Sequence, residues 1–240
     1  MRFGADVGET FRGNNVGDDE SVIPLVDVAN IACGGHGGTK ESITRAVDLC
    51  TQHGVMIAAH PSYFDPYNFG RLSQSVTSGG LLDQMKSQFD FLSNIVGYLP
   101  EVVKAHGALY NDMFADSSLA TWFLESIDKI YESSPSPLIV GAPGSTLEQI
   151  CAIRGYRFLK EGFADRMYLE DGSLAPRSNS ASLLNDPNQI LRQIESISND
   201  QQVEAASGKI IPLTVDVVCF HGDHTPSIEA LALAQEFRMR

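Results

Sequence analysis

Cysteine is scarce and scattered in this chain: Cys33, Cys50, Cys151 and Cys219 are the four in 240 residues, and no two form a CxxC pair. That spacing excludes a zinc knuckle and a disulfide scaffold, and Cys50 and Cys151 read as small buried apolar groups of helices. Cys33 stands at a strand tip. Basic residues are also few, 17 against 30 acidic, for a formal net charge of −13. A surface of that sign repels phosphate backbones and anionic lipid headgroups, so neither nucleic acid nor a membrane is an expected partner. Long hydrophobic runs are missing: the stretch Ile211 to Phe220 is broken by Asp216, and a membrane-spanning helix needs about 20 apolar residues. The amino terminus places Asp6 too early for a secretory leader, which makes the cytoplasm the expected location. No GxxxxGK[ST] occurs and no GxGxxG follows a strand, so neither standard nucleotide cradle is present. The glycine-rich Gly34 to Gly38 can still turn backbone N–H groups toward an anion.

What is present is a repeated grammar, a short apolar run that stops at His, Asp, Glu or Lys with glycine close by. Strands are predicted at 3–7, 28–33, 55–59, 102–104, 138–142, 157–160 and 214–220. Helical patterns lie between them: Thr39 caps one that runs to His53, Gly80–Val96 is strongly periodic, Trp122–Ile130 follows, and Ser145 caps Leu147–Ile153. Helices at 187–198 and 227–237 complete the alternation. Residues 10–20, 62–77 and 169–185 read as irregular, and the aromatic-rich 62–77 is the kind of long ordered loop that covers a site.

Seven strands alternating with helices imply a parallel sheet with right-handed crossovers. Charged tips come from strands one, two, three, four, six and seven, and so many tips converge in a closed barrel but not in an open sheet, which gathers ligands at its switch point. The expected fold is α/β, a single-domain seven-stranded β/α barrel of TIM-like kind over residues 1–240.

Asp6, His36 and His60 end three successive strands, and one carboxylate with two imidazoles is a workable ligand set for a divalent metal. The same histidines can instead serve as hydrogen-bonding groups in a pocket. His106 and His221 cross the same mouth, and either can move a proton near neutral pH. Lys104 shares a strand face with His106. A lysine inside a barrel needs a partner, for which Glu161 and Asp165 are the candidates, whether the resulting network is catalytic or structural. Arg71, Arg166 and Arg177 flank the mouth, and one of them is expected to clamp a substrate carboxylate. His53 and His224 read as solvated.

Taken in order, Asp6-Val7-Gly8-Glu9, Gly17-Asp18-Asp19-Glu20, Asn30-Ile31-Ala32-Cys33-Gly34, His36, Ala59-His60-Pro61, Gly70-Arg71, Lys104, His106-Gly107-Ala108-Leu109-Tyr110-Asn111, Glu161 to Arg166, Pro176-Arg177-Ser178 and His221-Gly222-Asp223 span nearly the whole chain. They resemble the LamB/YcsF family, the A components of 5-oxoprolinases. The resemblance implies a barrel related to the glycoside hydrolase and deacetylase superfamily. It also implies a role as one component of an ATP-dependent lactamase that opens 5-oxo-L-proline to L-glutamate, with further 5-oxoprolinase subunits as partners and ATP as co-substrate. On that basis the catalytic candidates are Asp6, His36, His60, Lys104, His106, Glu161, Asp165, His221 and Asp223. Asn30, Arg71, Arg166 and Arg177 are candidates for holding substrate. Two other classes fit the same tips: a stand-alone metal-dependent amidase or deacetylase, and a subunit that binds an acidic ligand without turning it over. The chain departs from the usual family pattern at Gly4-Ala5 for Asn-Cys, Gly35 for Phe, Thr39 for Asp and Ala105 for Pro, with His224 as an insertion.

Overall fold

The computed structural model describes residues 1–177, 179 and 182–238, so Ser178, which follows Pro176 and Arg177 in the motif, lies outside the described residues. In chain order the elements are β1 (Arg2–Val7), the hairpin β2 (Thr10–Phe11) and β3 (Asn14–Asn15), α1 (Asp19–Val22), β4 (Val28–Ala32), α2 (Lys40–His53), β5 (Met56–His60) and α3 (Ser78–Val96). There follow β6 (Val102–Lys104), α4 (Gly107–Asp112), α5 (Ser117–Ile130), β7 (Leu138–Gly141), α6 (Thr146–Arg154), β8 (Phe158–Phe163) and α7 (Pro187–Glu195). The chain ends with β9 (Gln202–Glu204), β10 (Ile210–Pro212), β11 (Val217–His221) and α8 (Thr225–Arg238). Seven strands close into a parallel barrel in the order β1-β11-β8-β7-β6-β5-β4, as the alternation predicted.

The interior is layered by the two-residue period of the strands. Val28, Ala58, Val102, Val140 and Val217 pack together as one cluster, one residue from each of five strands. Two residues further along the same strands come Asn30, His60, Lys104, Ala142 and Cys219, and β1 and β8 add Asp6 and Glu161 at this level. An apolar plug thus seals the amino-terminal end while the carboxyl-terminal end is polar. Outside, the second and larger cluster joins strand residues such as Ile31, Val103 and Val218 to helix residues such as Ile43, Phe89 and Phe123, all fully buried.

Local signals place the helices. Thr39 caps α2 in a reciprocal pairing with Ser42, and Ser145 caps α6 through the backbone N–H of Glu148. Three segments depart from expectation. Residues 10–20 hold the short hairpin and the start of α1, whose cap is Asp18. Strand six extends to Phe163, so Glu161 lies inside it and faces the barrel rather than sitting beyond its end. The helix expected to reach residue 198 ends at Glu195 and passes into a wider π-type turn, Ser196–Asp200, after which β9 and β10 pair antiparallel.

The barrel base is tied to the carboxyl-terminal helix through Asp27. Its Oδ2 accepts from the Phe3 N–H and the Arg238 Nη1, both at 2.7 Å, while Oδ1 accepts from Arg238 Nη2 at 3.2 Å. Partial burial acts to raise this carboxyl, but the Arg238 and Phe3 bonds outweigh it and hold its pKa below the usual range. A depressed folded-state pKa stabilises above the unfolded value and is lost as pH falls through the folded one. Asp27→Asn is expected to lower the urea midpoint at pH 7, by an amount that solvent screening of this partly exposed pair keeps within about 1 kcal/mol, and to converge on the parent protein as pH falls through the depressed folded-state pKa. A constant difference across that range would show that the carboxylate charge does nothing here.

Candidate functional site

A cavity of 690 Å3 opens at the carboxyl-terminal end of the barrel, and most of the residues picked out from the sequence converge on it. Asp6, His60, Arg71, Lys104, His106, Arg166, Arg177, His221 and Asp223 line it, while His36, Asn30, Glu161 and Asp165 stand directly behind those residues.

At its floor, Lys104 is 2 % exposed and its Nζ donates to Asp6 Oδ1 at 2.7 Å, with Glu161 Oε1 at 3.0 Å, Cys219 Sγ at 3.2 Å and the Phe163 ring centroid at 5.3 Å. Burial acts to lower the lysine pKa, and the Asp6 and Glu161 carboxylates reverse this and hold it well above its usual value. Asp6 Oδ1 also accepts from Asn30 Nδ2 at 2.9 Å. Burial would raise the Asp6 carboxyl, but His60 and Lys104 overcome that and keep it well below the carboxylate range. Of the two expected lysine partners, Glu161 is one and Asp165 is not. Asp165 lies past the end of β8, where its Oδ1 is 2.7 Å from His221 Nδ1.

Beside this pair sits a group of four. Glu9, His36, His60 and His106 each offer one donor atom, and these atoms all lie within 4.8 Å of one another. His60 Nδ1 donates to the Lys104 carbonyl at 2.8 Å, and His106 Nε2 donates to the Phe69 carbonyl at 3.0 Å. Carbonyls accept only, so each imidazole carries its proton on that nitrogen and presents a lone pair from the other. His60 Nε2 and His106 Nδ1 then face each other at 3.0 Å, with Asp6 Oδ2 at 3.2 Å from the first and Glu9 Oε1 at 3.5 Å from the second. Such a convergence of acceptors requires a proton or a cation between them. Backbone anchoring of the far nitrogen is the usual support of a metal-binding histidine, and donors around a tetrahedral ion stand about 3.3 Å apart. The residues therefore fit a divalent ion. His36 stacks flat on His106, with centroids 3.6 Å apart, and its Nε2 lies 2.9 Å from Glu9 Oε1. Its own Nδ1 is buried without a partner among the described residues, and burial pushes its imidazole down to about 3.

This set differs from the Asp6, His36 and His60 trio expected from the sequence. Asp6 spends one oxygen on Lys104 and Asn30, and Glu9 and His106 join the histidines in the four-donor group. Glu9, missed as a site residue, is pushed up to about 7 by burial and by the Asp6 charge. Strand alternation would not align residues 6 and 9. Gly8, at φ +71, turns the chain so that both carboxylates face the mouth, and the Asp-Val-Gly-Glu sequence was the available signal.

The 62–77 segment forms the near wall, as its reading as a covering loop anticipated. The Gly70 carbonyl accepts from Ala108 N at 2.9 Å, and a Cβ on Gly70 would stand 2.8 Å from His36 Cβ. Here a glycine is required by close approach as well as by φ +63. Three arginines rim the opening. Arg71 lies 3.6 Å from Asp223 and 4.9 Å over the Phe69 ring. Arg166 is 4 % exposed, donates to the Ala175 carbonyl at 2.6 Å and leaves its Nε without a partner among the described residues. Burial, then the nearby Arg177 and Arg71 charges, push it down to about 10. His224, expected to be solvated, is half-buried with its Nε2 2.8 Å from the Leu184 carbonyl, whereas His53 is exposed as expected.

The profile of the LamB/YcsF family matches residues 1–240. The A component of a 5-oxoprolinase from Cutibacterium acnes is 36% identical over 239 residues, which cover 98% of this chain and 93% of the relative. The crystal structure of a lactam utilization protein from Thermus thermophilus superposes with a TM-score of 0.88 at 31% identity, covering 100% of this chain and 97% of the other. A candidate polysaccharide deacetylase from Mycobacterium smegmatis, 12% identical with a TM-score of 0.50, covers 92% of this chain and 69% of that one, and shares the fold alone.

Lys104→Met leaves Asp6 and Glu161 buried against each other. A loss of about 3–5 kcal/mol in denaturant unfolding is expected, partly recovered in Lys104→Met/Glu161→Gln. Unfolding of Lys104→Met at the parental midpoint would remove Lys104 from its place at the centre of the site.

Proposed function

The chain belongs to the LamB/YcsF family, and from that membership and the geometry of the cavity we infer that it is the A component of a 5-oxoprolinase, opening 5-oxo-L-proline to L-glutamate. The observation that carries this reading is one cavity that holds an ionised carboxylate–lysine pair, a cluster of imidazoles and three arginines. An unstrained lactam resists water at neutral pH. Phosphorylation of its oxygen by ATP makes the ring carbon a good electrophile, and an activated substrate then carries both a carboxylate and a phosphoryl group. Arg71, Arg166 and Arg177 are suited to hold those anions. With no nucleotide cradle in the sequence, we assign ATP use to partner subunits, and the barrel of residues 1–240 to the ring-opening step in the cytoplasm.

In that step water adds its oxygen to the ring carbon and gives its proton to a carboxylate, for which Asp6, kept ionised by Lys104, is placed. The carbon–nitrogen bond breaks, the nitrogen takes up the two protons of that water to become the free amine, and the acyl phosphate so formed is hydrolysed by a second water to the carboxylate of glutamate and inorganic phosphate. His221 is suited to deliver one of the protons to the nitrogen, since Asp165 holds its Nδ1 and leaves Nε2 for the cavity side. Lys104 supplies fixed positive charge at the floor, and Asn30 orients Asp6. Glu9, His36, His60 and His106 are the residues that would hold a divalent ion, which supplies Lewis-acid polarisation of a carbonyl oxygen. The same donor group favours a second reading, a stand-alone metal-dependent amidase that needs neither ATP nor partners.

Co-purification from the native host, followed by glutamate release from 5-oxo-L-proline with and without ATP, separates these. Release is expected only with both partners and ATP. ATP-dependent release by the single purified chain would overturn the partner requirement, and ATP-independent cleavage of an amide would favour the second reading. Elemental analysis is expected to find about one divalent ion per chain, lost in His60→Ala. Metal-free protein whose partnered activity survives chelation would remove the ion from the scheme.

A further inference from the structure

Six strand tips carry ionisable groups, and the seventh, at the end of β7, does not. Ala142 and Pro143 at that tip back a second cavity of 330 Å3, whose other walls are Phe114 and Ala115 after α4 and the segment from Tyr168 to Leu174. Tyr110, Asn111, Phe163, Leu174 and Pro176 line both cavities, so the second opens beside the first across the Tyr110 and Phe163 rings. Those rings meet edge to face with centroids 5.7 Å apart.

Two features separate this space from a leftover gap. Its lining is dominated by apolar and aromatic side chains, against the charged rim of the main cavity. At the junction the buried Tyr110 hydroxyl faces the Glu161 carboxylate, so the polar groups at the mouth are turned to each other and the space beyond them is left to apolar atoms. The main cavity alone already lies within the range of about 300–1,000 Å3 that holds drug-sized ligands, far larger than a single-ring amino-acid lactam. Alternation of the barrel interior puts Ala142 at the level of Lys104 and Glu161, so an occupant of the second cavity lies beside the reacting centre rather than at a remote surface.

We propose that this second cavity is a subsite for an apolar substituent on the substrate, so that the chain accepts ring-substituted lactams larger than 5-oxo-L-proline. The proposal rests on the lactam reading of the main cavity. Its occupant is part of the ligand because the two cavities share the walls formed by Tyr110, Asn111, Phe163, Leu174 and Pro176.

The test is calorimetric binding of 5-oxo-L-proline and of analogues benzylated at ring carbon 3 or carbon 4 to the purified chain, with p-cresol as a fragment probe by NMR. One analogue is expected to bind roughly tenfold more tightly than the parent lactam, as for an apolar group leaving water. That advantage disappears in Ala142→Phe and in Ser173→Phe, which add bulk at two separate lining positions of the subsite, while parent binding is retained. Two variants keep the test valid if one fails to fold. Equal binding of parent and analogues, or an advantage that survives both variants, overturns the proposal. If no lactam binds, the lactam reading itself fails, and the subsite is then judged by p-cresol, whose failure to shift resonances of residues around Ala142 overturns it separately. Protection of the cavity by added partner subunits, with no gain from the benzyl group, makes it an inter-subunit contact and also overturns it.

Discussion

Everything at the carboxyl-terminal end of this barrel depends on one ammonium group in its interior. Burying Lys104 carries a desolvation cost of several kcal/mol, and the structure offsets it with Asp6 at 2.7 Å, Glu161 at 3.0 Å and the face of Phe163. Once the ammonium is in place, Asp6 must stay ionised, and its second oxygen is aimed at His60. His60 is in turn oriented by the carbonyl of Lys104 itself, so the same residue fixes the carboxylate through its side chain and the imidazole through its backbone. The cost of this polar layer is tolerable because the layer beneath it is valine and alanine. That plug closes the barrel and leaves the upper layer free to serve chemistry.

On sequence alone Lys104 has two competing roles, one structural and one chemical, and the geometry shows why they are not exclusive. A cation that pairs with two buried carboxyl groups is structural by its energy. The same cation sets the protonation state and the aim of Asp6, which is a chemical consequence. Substitutions here are therefore read best through the pair, because removing one charge leaves its partners buried and unpaired.

Strand alternation made much of the site legible. It put Lys104 and His106 on one face, and the charged tips of six strands implied closure. It failed wherever the chain leaves strand geometry. Gly8 resets the phase between Asp6 and Glu9, which hid Glu9. Asp165 lies past the end of β8, so it turns to His221 of the neighbouring strand instead of to Lys104. The arginines come from irregular segments, where no period says which guanidinium is buried. That Arg166 is enclosed while Arg71 keeps a carboxylate partner is a tertiary fact, as is the hold of Leu184 on His224.

The departures from the usual family pattern also gain a physical reading. A Cβ on Gly35 would stand 2.1 Å from Gln88 Oε1, and Gln88 is itself fixed by exchanging hydrogen bonds with the backbone of Ser62 at 3.0 and 2.8 Å. The space a larger residue would take is thus filled from α3, and the wall behind the histidines is rebuilt rather than lost. Gly4 belongs to the apolar layer under Asp6, where a Cβ would already touch Val217 and the Val28 carbonyl at 3.4 Å, leaving little room for a longer side chain. Thr39 caps α2, a task that aspartate performs equally. Ala105 is buried and keeps Lys104 and His106 on either side of it. None of these changes removes an ionisable group from the cavity. The reading of a component that binds without turning over starts from Gly4-Ala5 and Gly35, and of these Gly4 and Gly35 are positions where neighbouring atoms already fill the space.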